Sequence, residues 1–164
     1  MTTLKSDHAA IVEGRTMYSK NVHTLDQYKH KVLKPSTNKK LGRKVTKGKL
    51  AGMPIYTLTL EERATCDRAC EHWQDCYGNN MPFAHRIDTV GLRARLEKEL
   101  DELDRKHKRG YLVRLHVLGD FYSTEYVAFW HVQVATRDKL HVYGYSRHHP
   151  GKPIGNALKC TRDV

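Results

Sequence analysis

Three cysteines stand close together in Cys66-Asp-Arg-Ala-Cys70-Glu-His-Trp-Gln-Asp-Cys76-Tyr-Gly, separated by three residues and then by five. Thiols packed this closely read as ligands for a metal or an iron–sulfur cluster, because clustered cysteines in a reducing compartment are more often metal ligands than disulfides. The spacing matches neither the paired C-x-x-C of a zinc ribbon nor the commonest cluster-binding run, so a 4Fe-4S cluster and Zn both stay open. A fourth zinc ligand would come from Cys160, His72 or His85, and a closed tetrahedral site would stabilise the fold without catalysing anything. Trp73 and Tyr77 are placed to shield such a centre from water. A nucleophilic thiol is the weaker reading, since nucleophilic cysteines usually stand alone beside a base.

The chain opens Met1-Thr-Thr-Leu-Lys-Ser-Asp-His, without the apolar run of a secretory signal or of a membrane span. A cytoplasmic protein with no membrane contact is expected. Length allows one domain of ordinary size. Charge divides it unevenly: residues 1–52 hold 12 Lys and Arg against 3 acids, and so carry +9 of the net +11. The expected division is therefore a basic, largely irregular arm over 1–52 and an α/β domain over 53–164.

Within the arm, residues 29–49 contain no acid, while Pro35, Gly42, Gly48 and Gly52 interrupt any long element. Partly mobile backbone is expected there. Lys39, Lys40, Arg43, Lys44, Lys47 and Lys49 are the candidate nucleic-acid contacts, through phosphates and counterion release. The arm lacks the interleaved aromatics that stack single-stranded bases, so affinity is implied without sequence readout. An acidic protein partner would suit the same charge. A phosphate loop is absent, since Lys47-Gly48-Lys49 is too short and lacks flanking elements.

The remaining chain must position the thiols. Met53 to Leu60 reads as a strand and runs directly into the cysteine loop. Leu92, Leu96, Leu100 and Leu103 predict a helix from about Leu92 to Arg109, with Arg93/Glu97, Asp101/Arg105 and Glu102/Lys106 as solvent-side pairs and Gly110 as terminator. Tyr111 to Leu118 is an apolar run of strand length. Ser123 caps the next helix, whose stripe is Val127, Trp130, His131 and Val134. Leu140 to Ser146 is another strand.

This alternation predicts a small three-layer or partial-barrel α/β domain with a mostly parallel sheet. In such sheets ligands bind at the carboxyl ends of the strands. The cysteines, Gly119, Asp120, Ser146 and Arg147 would converge there. Asp120 and His116 are the catalytic candidates, although His116 also suits a hydrogen-bonded core position and Asp120 a turn. Tyr143 and Tyr145 read as packing residues, and His148 and His149 as exposed.

The stretches RATCDRACEHWQDCYGNN, VRLHVLGDFYSTEYVAFW and LHVYGYS resemble the "gene product 88" family of phage and bacteria over roughly residues 38 to 147. Its members usually continue past the last strand with further cysteines, so a short or truncated member is implied, in the host cytoplasm if phage-encoded. The family implies a fold more than a function. The three-cysteine loop is also similar to that of radical S-adenosylmethionine enzymes. That resemblance implies three thiolates on a 4Fe-4S cluster, S-adenosylmethionine on the open iron, and Gly119 and Asp120 at the cofactor's amino group. The longer second cysteine gap and Gly-Asp in place of Gly-Gly-Glu depart from it. The expected function is a metal- or cluster-binding protein with a basic arm, and the second resemblance implies a shortened radical-type enzyme acting on nucleic acid or another macromolecule. The alternative is a zinc-stabilised module that binds nucleic acid or protein without catalysis, such as a phage-encoded inhibitor.

Overall fold

The computed structural model describes residues 2–159. Four strands form the main sheet: β2 (Lys34–Pro35), β3 (Ile55–Thr57), β5 (Tyr111–Leu115) and β6 (Leu140–Gly144), in that order. β3, β5 and β6 are parallel, while β2 is antiparallel on the edge. A smaller parallel pair joins β1 (Val22–His23) to β4 (Arg86–Ile87). Beyond Thr57 the chain stays extended and changes neighbours. Leu60 N–H donates to Leu118 O at 3.0 Å on one side, and Ile87 N–H donates to Thr59 O at 3.1 Å on the other.

The sheet is parallel because helices make its crossovers. α2 (Leu92–Lys106) leads into β5, and α3 (Thr124–Thr136) joins β5 to β6. Leu92, Leu96 and Leu100 are fully buried on one face of α2, each contributing roughly 1.5–3 kcal/mol of burial. They share a core with Tyr56, Tyr111, Val113 and Leu115 of the sheet, and with Tyr126, Val127 and Trp130 of α3. The Ser123 hydroxyl caps α3 by accepting the Tyr126 N–H. α4 (Pro153–Lys159) adds Ile154, Ala157 and Leu158 to the same cluster. Helices thus cover one sheet face.

The opposite face is set by register. Lys34 pairs with Thr57, Thr57 with Arg114, and Arg114 with Tyr143, so one row of four polar side chains crosses all four strands. All four are half-buried.

The first 52 residues are largely irregular, as expected, but they are packed against the rest of the chain. Few of them are in regular elements, yet Tyr28, Val32 and Leu33 lie in the main core, and Leu4, Ala10 and Ile11 build a second cluster around α1 (Ala9–Glu13). Buried Glu99 of α2 fixes this wrap by accepting the Val32 and Leu33 N–H groups and the Arg95 guanidinium at 2.8–3.0 Å. The lysine-rich stretch is a paired loop: Val45 N–H donates to Met53 O and Ile55 N–H to Arg43 O, both at 2.9 Å. Composition showed its charge and its turns, but not the strand edge against which it lies.

Two of the three expected ion pairs along α2 are also replaced. Asp101, together with Asp104, takes Arg137 just past the end of α3, and Glu102 takes Lys31, so tertiary partners displace those one turn away. Strand ends came out shorter than predicted, at Leu115 and Gly144. No helix among the described residues is long and apolar enough to cross a membrane.

Glu99→Leu strands the Val32 and Leu33 amides and is expected to cost about 2–3 kcal/mol, the penalty for lost bonds to a buried charge. A lowered urea midpoint with restored amide exchange around residues 30–34 checks this. Glu102→Ala, which removes an exposed pair, should leave the midpoint where it is.

Candidate metal centre

The cysteine loop hangs from three consecutive buried charged residues, Glu61, Glu62 and Arg63. Glu62 and Arg86 form a two-pronged ion pair at 2.7 and 3.0 Å, both side chains out of solvent. The pair is fully satisfied. Arg86 also donates to the carbonyls of Met81, Ala84 and Gly78, and Glu62 accepts the Thr16 hydroxyl at 2.7 Å. Glu61 takes the Arg15 guanidinium and the Thr16 N–H. Gly78 is required here, because a Cβ would stand 2.6 Å from the Glu62 carboxylate.

Arg63 holds a left-handed φ of 62°, uncommon outside glycine and a mark of a constrained site. Its Nε donates to Trp73 O at 2.9 Å and its Nη2 to Asn79 Oδ1 at 2.7 Å, while buried Nη1 has no partner. Asn79 in turn donates to Gln74 O and Thr2 O. The loop is covered by the amino-terminal wrap, as Leu4 N–H donates to Gln74 O and the Trp73 indole to Ile11 O. Trp73 therefore packs into the small second core, while Tyr77 is 58% exposed.

Cys66, Cys70 and Cys76 are free thiols, each half-buried. Burial pushes the Cys66 thiol up to about 12, and the charges of Asp120, Cys76 and Cys70 push the same way. Burial also raises Cys76, opposed by the Gly78 amide and by the Arg63 charge. Asp120, Cys70 and Cys76 are near enough to Cys66, and Arg63 to Cys76, for their charges to be felt. Among the described residues no group of three His, Cys, Asp or Glu side chains stands at metal-binding separation. An ion would have to draw the thiols together. Cys160 lies outside the described residues.

The other candidates sort by contact. Asp120 N–H donates to the Thr65 hydroxyl at 3.1 Å, and the Asp120 carboxylate accepts the Phe121 and Arg147 amides at 2.7 and 2.8 Å and the Ser146 hydroxyl at 3.2 Å. It ties together the segments that follow β3, β5 and β6, and burial raises its pKa. Gly119, at φ 83°, lets this happen: a Cβ would meet Thr65 Oγ1 at 2.5 Å and Leu60 Cβ at 2.7 Å. Arg147 reaches back to Glu71, and Lys152 to Asp67, both at 2.7 Å. The carboxyl edge thus gathers the cysteine loop, Gly119, Asp120, Ser146 and Arg147.

His116 is not presented at that edge. It is buried between Phe121 and Tyr126, with Nε2 3.2 Å from the Tyr126 hydroxyl, and burial lowers its pKa to about 3. His72 Nδ1 meets Asp75 at 3.2 Å. His85 belongs to a separate aromatic cluster with His23 and Tyr28. Lys39, Lys40, Arg43, Lys44, Lys47 and Lys49 lie on the paired loop without a carboxylate partner among the described residues. Sequence reasoning missed Glu61, Glu62, Arg63 and Arg86. The available signal was three charges directly after an apolar strand, where solvent-facing alternation was due.

Fold and site together define an open-faced, mostly parallel α/β protein with a cysteine loop at its carboxyl edge. The family profile of Gene product 88 matches residues 30–156, and the chain belongs to that family. No curated protein and no solved structure matches it.

Breaking the buried pair with Arg86→Met should cost about 3–5 kcal/mol, because a lone buried carboxylate remains. Thermal melts check it. For His116 the depressed pKa means that the unfolded chain takes up a proton below about 6.5 that the folded chain refuses. Stability should therefore be full above pH 6.5 and fall as the pH drops toward about 3. His116→Gln, which keeps a partner for Tyr126, should flatten that part of the profile in urea titrations between those limits.

Proposed function

We propose that Cys66, Cys70 and Cys76 hold an iron–sulfur cluster of the 4Fe-4S type at the carboxyl edge of the sheet. The supporting observation is Arg63. Its side chain is nearly out of solvent, at 3% exposure, its charge acts on Cys76, and its Nη1 lacks an acceptor. A buried donor on a cation is costly without an anionic partner. Thiolate and cluster sulfur are such partners, and hydrogen bonds to them tune the potential.

Three protein thiolates leave one metal position without a protein ligand. When bound, such a cluster supplies an electron and an open iron. This chain's own contribution is a set of half-buried thiols, a donor to sulfur from Arg63, and an edge fixed by Asp120. The Asp120 acceptors are already engaged by three internal donors, which suits a positioning role better than a grip on a cofactor's amino group. Cleavage of S-adenosylmethionine thus rests only on the resemblance of the loop.

The competing reading is a structural zinc site. His72 favours it, since an imidazole whose Nδ1 faces Asp75 is oriented as metal-bound histidines are by a carboxylate.

Purification without oxygen should yield brown protein with iron and sulfide in equal amounts and a broad band near ~400 nm. Cys66→Ser, Cys70→Ser and Cys76→Ser should each bleach it, while Arg63→Gln should lower cluster content and shift its potential at an unchanged circular dichroism spectrum. About one colourless zinc per chain, lost in His72→Ala, would establish the zinc reading instead. A folded protein that takes neither metal would sink both.

A further inference from the structure

The helix-free face of the sheet carries a groove that the metal centre does not use. It encloses about 630 Å³, within the ~300–1,000 Å³ range of ligand sites. Its floor is Lys34, Thr57 and Arg114 of the cross-strand row, extended by Thr59 and Val117, and its walls include Tyr28, Tyr77 and Phe83. No carboxylate lines it.

Three features of this groove point to one ligand chemistry. First, its cations are uncommitted: neither Lys34 nor Arg114 is in an ion pair among the described residues, and the Arg114 Nε is buried without any partner. Lys34 is held over the Tyr28 ring, 5.4 Å from its centre, which fixes its direction without neutralising it. Second, large aromatics stand at the rim where water should disfavour them, Phe83 at 89% and Tyr77 at 58% exposure. Third, Thr37 and Asn38 line one end of the groove, and the chain continues from them into the basic loop that bears Lys39, Lys40, Arg43 and Lys44.

A cationic floor, flat exposed rings and a continuing track of positive charge are what a single strand of nucleic acid requires: phosphates follow the charge, and bases stack on the rings. We infer that the groove binds single-stranded nucleic acid, with Arg114 and Lys34 on the backbone, Phe83 and Tyr77 as stacking platforms and the basic loop extending the phosphate track. The rings that the basic segment lacks in sequence are supplied from residues 77–83, which the fold brings alongside. This binding does not depend on the identity of the metal.

Fluorescence anisotropy with the full chain and a labelled twelve-nucleotide oligothymidine, compared with duplex DNA of equal length, tests the assignment. Single strand should bind more tightly than duplex. Phe83→Ala, which removes an exposed ring and leaves the fold intact by circular dichroism, should weaken it on the order of tenfold. Lys34→Gln should weaken it as well. Changing Lys39, Lys40, Arg43 and Lys44 to Ala should lower the slope of log K against log salt by up to about 0.7 for each phosphate that is no longer neutralised. Duplex binding as tight as single strand, or Phe83→Ala binding like the parent, would mean that the loop grips phosphates alone and would overturn the groove. Absence of binding at low salt would overturn it too, and iron or zinc content would be unaffected by either result.

Discussion

The ion pair between Glu62 and Arg86 is the constraint on which the cysteine loop depends. Neither charge reaches water, and removing two charges from solvent costs several kcal/mol per ion unless every lone pair and proton is met. Here they are met, by each other, by three backbone carbonyls and by the Thr16 hydroxyl. The consequence is geometric. Four separate stretches of chain, around Thr16, Glu62, Gly78 and Arg86, are fixed relative to one another by groups that have no alternative partners. An apolar cluster of the same volume would hold them together but would allow sliding. The pair does not, and Cys66 and Cys76 lie inside the frame it sets.

That frame explains why thiols with little regular secondary structure around them are nonetheless held in place. The loop is pinned by side chain to backbone bonds from Arg63 and Asn79, and covered by a wrap whose own small core holds Leu4, Ala10, Ile11, Met17 and Trp73. Burial makes the Cys66 and Cys76 thiols reluctant to ionise, while the Arg63 charge works against that reluctance at Cys76. The site is preorganised in its backbone and in its counter-charge, but not in the convergence of its sulfurs. A metal bound by these thiols would contribute the last step of ordering, as where metal binding and local folding are coupled.

Much of the frame was legible in the chain. The leucine repeat of α2, the Ser123 cap and the apolar run of β5 follow from periodicity and side-chain chemistry, and the alternation of elements implies a shared carboxyl edge. Asp120, Ser146 and Arg147 do meet there. What periodicity could not give is any feature made by tertiary pairing. The basic segment looks free because charge and glycine dominate its composition, yet its anchors are a handful of residues, such as Val32 and Leu33, whose amides bond to Glu99 of α2 far along the chain. Arg86 reads as an ordinary surface arginine until Glu62 is seen opposite it. His116 and Gly119 suit a site equally well as packing, and only contacts show that His116 is enclosed and that Gly119 makes room for Leu60 and Thr65.

The open sheet face follows from the same topology. With α2, α3 and α4 gathered on one side, the other side of β3 and β5 must either be covered by the wrap or face solvent. An apolar row there would be a liability for aggregation. Instead, the register sets Lys34, Thr57, Arg114 and Tyr143 side by side. A half-buried cation on a central strand is costly unless it gains a partner, and among the described residues Arg114 has no ion pair and its Nε no acceptor. Tyr77 directly follows Cys76 and lines the groove, so ordering of the cysteine loop and the shape of the groove wall share one stretch of backbone. The wall of the groove and the cysteine loop are therefore one continuous piece of structure, and a change in the backbone of either is felt in the other.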